Sequence, residues 1–90
     1  MKKRIFAYMT FLDDDGLPTV YKISGKSIKH ILLSVCKAQY GWPTDEKDNI
    51  IPLEKLTISM LKEEINEQNG DGCMYILSII TTKGKLIFSI

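Results

Sequence analysis

The feature that most constrains the fold is a pair of strand-rich segments, one at each end of the chain, that enclose a segment with helical periodicity. β-Branched and aromatic residues dominate both end segments, and a turn signal divides each of them, at Asp13–Gly16 and at Lys83–Gly84. Polar, glycine-containing turns between strand-like runs are typical of β-hairpins. The sequence therefore predicts two hairpins, with strands over residues 4–12, 17–24, 73–82 and 85–90.

The lengths of the two turns predict the strand registers. A four-residue first loop pairs Leu12 with Leu17, and a two-residue second loop pairs Thr82 with Lys85. On these registers the strands carry more apolar side chains than two helices on one face can cover. The surplus residues, which we predict to form a surface for a partner or for a second copy, are Ile76, Ile80, Ile87, Met9 and Val20. The alternative is that the registers are shifted and these residues lie in the core.

Between the hairpins, apolar residues first recur with the spacing of an amphipathic helix. They are Ile28, Ile31, Leu32, Val35 and Cys36. Ser24 or Ser27 can cap the start of this helix, and Gly41 suits the left-handed position that follows a helix end. The sequence predicts a first helix that ends before Gly41.

A second helix is expected within residues 53–68, where two registers compete. One stripe contains Leu53, Leu56 and Met60, and the other contains Ile58, Leu61 and Ile65. We favour the second stripe because Thr57 can cap such a helix and Gly70 can end it.

The order of these elements is ββ-αα-ββ. Ninety residues suffice for one domain and are too few for two, so residues 1–90 are expected to form a single α+β domain. The simplest architecture is an antiparallel sheet with both helices on one face.

Composition excludes several classes of protein. Apolar residues make up 44% of the chain and charged residues 26%, which is typical of a globular domain and not of a disordered one. Twelve basic residues against eleven acidic ones give a net charge of +1, whereas a dedicated nucleic-acid-binding protein usually has a clear basic excess. The apolar run after Met1–Arg4 ends at Asp13 and predicts a strand rather than a targeting or membrane segment.

Two cysteines, Cys36 and Cys73, are too few for a disulfide framework and favour a reducing, cytoplasmic location. With a single histidine, His30, they do not form a zinc site of four ligands. Cys36 falls on the opposite side of the predicted helix from His30, so no catalytic set is indicated. We therefore expect no enzyme activity and no cofactor; a small enzyme built around His30 and a cysteine is the weakest alternative.

Two short motifs resemble ligand-binding loops without completing them. Gly25-Lys26-Ser27 lies between a strand and a helix, but the glycine that a phosphate-binding loop has five positions earlier is replaced by Val20. Three consecutive acids, Asp13–Asp15, lack the alternating spacing and the distant glutamate of a calcium loop. Both segments are expected to be structural turns, and no metal ligands are assigned.

The two predicted helices differ in charge. The first carries the candidate basic surface, which consists of Lys26, Lys29, His30 and Lys37. The second carries Glu63, Glu64 and Glu67 against two lysines. Neighbouring helices of opposite charge simply attract each other, but the basic half, with Lys2, Lys3 and Arg4, is also a candidate contact for nucleic acid.

Together these features favour a small non-enzymatic protein-binding module, homodimeric, that modulates a larger partner protein. The alternative is a nucleic-acid-binding accessory protein that uses the basic first helix and the N-terminus. Thirteen isoleucines and many lysines are typical of AT-rich genomes, in which small domains of this kind often are phage or mobile-element accessory proteins or inhibitors.

Overall fold

The computed structural model describes residues 4–69 and 74–90. The described elements are β1 (Ile5–Leu12), β2 (Pro18–Gly25), α1 (Ile28–Gln39), α2 (Ile58–Gln68), β3 (Tyr75–Thr81) and β4 (Leu86–Ser89). One turn of 3₁₀-helix, Leu53–Lys55, precedes α2. The predicted helix terminator Gly70 and the predicted strand residue Cys73 lie outside the described residues.

The four strands form one antiparallel sheet in the order β2-β1-β3-β4. β1 and β3 are the central strands although both helices lie between them in the chain. Buried residues from both helices and from one face of the sheet form a single hydrophobic cluster. The predicted α+β class, the ββ-αα-ββ order and the antiparallel sheet are confirmed.

Helix α1 has the two caps that its sequence predicts. The Ser27 hydroxyl accepts a hydrogen bond from the backbone N–H of His30 at 3.2 Å. At the other end, Gly41 has a φ of 92° and its N–H donates to the Cys36 carbonyl at 3.0 Å. Glycine adopts this left-handed conformation without steric cost, so the chain can leave the helix there.

Helix α2 follows the register that we favoured. The Thr57 hydroxyl accepts a hydrogen bond from the N–H of Met60 at 3.1 Å and caps the first turn. Leu61 and Ile65, one turn apart, are fully buried. Leu56, from the competing stripe, is also buried, but it contributes from the extended segment before the helix.

The first hairpin differs from the prediction by one residue. Leu12 pairs with Pro18 and not with Leu17, because the loop contains five residues. One Asp13 side-chain oxygen, Oδ1, accepts hydrogen bonds from the N–H groups of Asp15 and Leu17, both at 2.9 Å. These contacts stabilise the longer loop. Because side chains alternate between faces, the one-residue shift turns β1 over relative to β2, so Val20 keeps its predicted exposure whereas Met9 moves to the helix side.

The second hairpin keeps the predicted pairing away from its turn, but the turn contains three residues and not two, because the N–H of Thr81, and not that of Thr82, donates to the Lys85 carbonyl at 2.8 Å. Ile79 pairs with Phe88 as predicted. The register shifts next to this pair and again where β3 meets β1, so Ile87 on β4 and Leu77 on β3 are left as extra residues. A β-bulge of this kind breaks the alternation of faces along a strand. The assumption of strict alternation in β3 and β4 was wrong for this reason.

These shifts correct the predicted partner surface. Met9, Ile76 and Ile87 are at most 4% exposed and belong to the core, so they cannot contact a partner. Met9 now faces the helices because β1 pairs with β2 in the shifted register, and the bulges turn Ile76 and Ile87 inward. Val20 and Ile80 are exposed, at 57% and 39% of their surface.

We predict that Asp13→Ala lowers the free energy of unfolding by about 1 kcal/mol, since two backbone N–H groups lose their shared acceptor. Asp14 has an exposed side chain, and Asp14→Ala should change stability by less than about 0.5 kcal/mol. Urea unfolding measures both. Asp13→Asn keeps an oxygen acceptor and should recover most of the loss; equal effects at the two positions would contradict this role of Asp13.

Candidate functional site

One face of the sheet is left without helices and carries six large exposed apolar side chains. They are Phe6, Tyr8, Val20, Tyr75, Ile80 and Leu86, and we call this surface the open face. Tyr8 pairs with Ile80, and Ile80 pairs with Leu86, so three of these side chains form a row across three strands. Tyr8, Ile80 and Leu86 therefore form a continuous apolar row on β1, β3 and β4, and the polar pair Thr10–Ser78 separates this row from Tyr75.

Charge on the open face comes from β2. Lys22 pairs with Tyr8, and its Nζ atom lies 5.1 Å from the centre of the Phe6 ring. A cation at this distance from an aromatic ring is attracted by the negative face of the ring. The predicted surface residues Val20 and Ile80 lie on the open face, whereas Phe6 and Tyr8 were not among the predicted surface residues.

The second candidate surface lies at one end of the sheet, where two grooves meet at Arg4. The smaller groove, of about 240 Å³, is lined by Arg4, Ser24, Gly25, Lys26, His30, Leu33, Ser34 and Lys37. The larger, of about 450 Å³, is lined by Arg4, Ile5, Phe6, Ile28, Thr81, Thr82, Lys83 and Lys85. No described carboxylate lines either groove. We call these two grooves the basic end.

The structure brings together three of the four residues predicted for the basic surface. Lys26, His30 and Lys37 line the smaller groove, and Lys29 does not. Lys37 also places its Nζ atom 5.2 Å from the centre of the Trp42 ring. Lys83 was not among the predicted residues, because the hairpin that carries it is distant in sequence. The other predicted contacts, Lys2 and Lys3, lie outside the described residues.

His30 is held by the residue that caps its own helix. Its Nδ1 atom lies 2.8 Å from the Ser27 hydroxyl oxygen. Cys36 lies six residues further along α1, in the core, and its Sγ donates to the Leu61 carbonyl at 3.8 Å. His30 and Cys36 therefore have separate partners in separate environments.

Burial raises the pKa of the Cys36 thiol from 9.0 to about 12, and the nearby negative charge of Glu64 adds to this effect. A nucleophilic cysteine needs the opposite shift, because the thiolate is the reactive form. This thiol is unsuited to covalent catalysis. The second cysteine, Cys73, lies outside the described residues.

The two motifs that resemble ligand-binding loops have structural roles. A Cβ atom on Gly25 would lie 3.0 Å from Cγ1 of Ile31 and 3.1 Å from its backbone nitrogen, so glycine permits the close approach of β2 to α1. At the opposite end of the sheet, Asp13 holds the first hairpin loop through its side chain. In residues 4–69 and 74–90, no cluster of three or more metal-ligating side chains exists.

Comparison with protein-family models, with curated proteins and with solved structures returns no significant match. None of the helices in the described part of the chain is both long and apolar enough to span a membrane.

We predict that Cys36 is almost unreactive in the native protein. In a Cys73→Ser variant at pH 8, its reaction with an aromatic disulfide reagent should be at least about 100-fold slower than in denaturant, because both burial and the raised pKa suppress the thiolate. The rate is followed by the absorbance of the released thiol. Equal rates in native and denatured protein would contradict the buried position and would restore Cys36 as a candidate nucleophile.

Proposed function

We propose that the protein is a small non-enzymatic protein-binding module that acts through the open face and that the occupant of this face is a second copy of the chain. The observation that carries this proposal is the row of exposed apolar side chains across β1, β3 and β4, formed by Tyr8, Ile80 and Leu86. Monomeric proteins rarely expose contiguous apolar patches larger than a few hundred Å², and larger patches are typical of interaction surfaces.

The shape of the molecule supports an interface on this face. Its dimensions are 39 × 36 × 17 Å, so the molecule is thin in one direction. A thin molecule exposes much of its surface on its two broad sides. Two sheets can pack face to face at a separation of about 10 Å.

The chemistry of the open face favours a second copy over a charged partner. The six residues that define it are uncharged, and the lysine beside them, Lys22, is already held against Phe6. A two-fold symmetric dimer needs a self-complementary surface, and an apolar face with few charges meets a copy of itself without repulsion. This association needs no backbone hydrogen bonds at the sheet edges, because the contact involves side chains only.

The environments of the cysteine thiol and the histidine ring support a non-enzymatic role. The Cys36 thiol is buried with a raised pKa, and the His30 ring lies against the capping hydroxyl of Ser27. A location in the reducing cytoplasm belongs to the same proposal and is supported by the free, buried thiol of Cys36.

We predict a solution mass of twice 10.3 kDa at high micromolar concentration, measured by sedimentation equilibrium. Ile80→Glu should convert the dimer to a monomer, because it places a charge in the centre of the apolar row. The matched control is Ile50→Glu, at an exposed isoleucine in the loop between the helices, which should leave the dimer intact.

Circular dichroism and urea unfolding establish that both variants are folded. A monomeric wild-type protein at the highest concentration would contradict the dimer. In that case a larger protein captured by the wild type, but not by Ile80→Glu, would assign the open face to a different occupant. Equal loss of the dimer in both variants would show that the contact does not involve the open face.

A further inference from the structure

The near-zero net charge of the chain conceals a strong separation of charge. Nine of the twelve lysines and arginines, and none of the eleven acidic residues, lie in residues 1–12, 16–44 and 72–90. The acids are confined to the first hairpin loop and to residues 45–71. A polyanion responds to the local electrostatic field and not to the net charge of the molecule. The net charge therefore underestimates how strongly this protein attracts a polyanion.

The sheet concentrates the basic segments at one end. β1 begins, β2 ends and the β3–β4 turn lies at the same end of the sheet, because all strand pairs are antiparallel. Arg4, Lys26 and Lys83 therefore meet there. The acidic loop Asp13–Asp15 lies at the far end of the eight-residue strand β1, at a distance of about 25 Å. This exceeds the screening length of about 8 Å in physiological salt.

Arg4 is the residue that the two grooves share. Its Nε and Nη2 atoms donate to the Ser24 hydroxyl oxygen at 3.3 Å and 3.2 Å. An arginine carries five N–H donors in a planar fork, so this neutral contact orients the guanidinium and leaves donors for another acceptor. A guanidinium with free donors, between two grooves that no described carboxylate lines, is suited to a phosphate group.

An exposed aromatic ring adjoins this guanidinium. Phe6 lines the larger groove together with Arg4, Lys83 and Lys85, and 43% of its surface is exposed. Proteins that bind single strands combine cationic grooves with aromatic side chains on which unpaired bases stack. Such rings also occur on the exposed faces of four-stranded sheets that bind RNA. A double helix offers no unpaired base to the ring, so the pairing of Phe6 with three cations favours a single strand.

We propose that single-stranded nucleic acid binds across the basic end. Its phosphates contact Arg4, Lys26, Lys83 and Lys85, and one base stacks on Phe6. The phosphate contacts lie outside the open face, whereas Phe6 belongs to both surfaces, so the site is complete on a single chain and stacking on Phe6 competes with a dimer that covers this ring.

The test is fluorescence anisotropy with a labelled oligothymidylate and a labelled oligouridylate, each titrated at several salt concentrations. With about four phosphates neutralised, the logarithm of the binding constant should fall with the logarithm of salt concentration with a slope of about −3. Binding of either oligonucleotide supports the proposal, and the better ligand identifies the preferred sugar.

Two variants separate the charge contribution from stacking. Lys83→Gln/Lys85→Gln should weaken binding and reduce the magnitude of the salt slope by about 1.4, since two phosphate contacts are lost. Phe6→Ala should weaken binding at least about fivefold while the salt slope stays unchanged, because stacking releases no counterions.

The matched control is Lys47→Gln/Lys55→Gln, which removes the same charge from the acidic part of the chain and should retain binding. Absence of binding at low salt would overturn the proposal, as would equal losses in the two double-lysine variants.

Duplex binding as tight as single-strand binding, or a Phe6→Ala variant with wild-type affinity, would overturn the stacking contact. Polyglutamate binding as tight as oligonucleotide binding would assign the surface to an acidic protein instead.

A separate variant tests whether oligonucleotide binding needs the proposed dimer. Because a dimer through the open face covers Phe6, Ile80→Glu should bind the oligonucleotides at least as tightly as a dimeric wild-type protein. Loss of binding in that variant, with its fold intact, would show that the nucleic acid requires the dimer and would overturn a site on the single chain.

Discussion

The structure depends on the packing of a single layer of helices against one face of a central strand. β1 is paired on both of its edges, and its alternate residues Ala7, Met9 and Phe11 lie in the core beneath the helices. The chain forms two α-helices, and both pack on the same face of the sheet. The other face of β1 therefore presents Phe6 and Tyr8 to solvent, and the candidate binding surface is a direct consequence of the two-layer architecture.

The same architecture explains why two surfaces of different character lie next to each other. The open face is apolar because alternate strand residues are apolar on both sides of the sheet. The basic end is cationic because antiparallel pairing brings segments without acids to one edge of the molecule, while the acids lie in the far hairpin loop and in residues 45–71. Phe6 lies where the two surfaces meet, with Lys22 on its ring and Arg4 in the adjoining groove.

Several residues that resemble catalytic or ligand-binding groups in the sequence make structural contacts. Ser27 caps α1 and contacts His30, Gly25 allows β2 to approach α1, and Asp13 holds a turn. The Cys36 thiol is a small core group that remains protonated. In each case either a backbone N–H group needs a hydrogen-bond acceptor or the available space is small. A polar side chain meets the first need, and a small residue meets the second.

The sequence by itself determined the elements and their order. Both helices, with their caps Ser27 and Thr57, depend on contacts within a few residues and were predicted correctly. Strand faces were not, because the hairpin loop at Asp13 is one residue longer than expected and the bulges in β3 and β4 interrupt the alternation. That is why Met9, Ile76 and Ile87 moved from the predicted surface to the core, whereas Val20 and Ile80 stayed exposed.

Tertiary structure alone decided which residues meet at the basic end. Lys26 lies just before α1 and Lys37 lies within it, so both were visible in the sequence, but Arg4 and Lys83 join the grooves only because the first and third strands pair in the centre of the sheet. Local periodicity carries no information on such pairing, since strand register is set by hydrogen bonds between residues far apart in the chain. Periodicity and capping therefore determine the helices, and long-range pairing determines the surfaces.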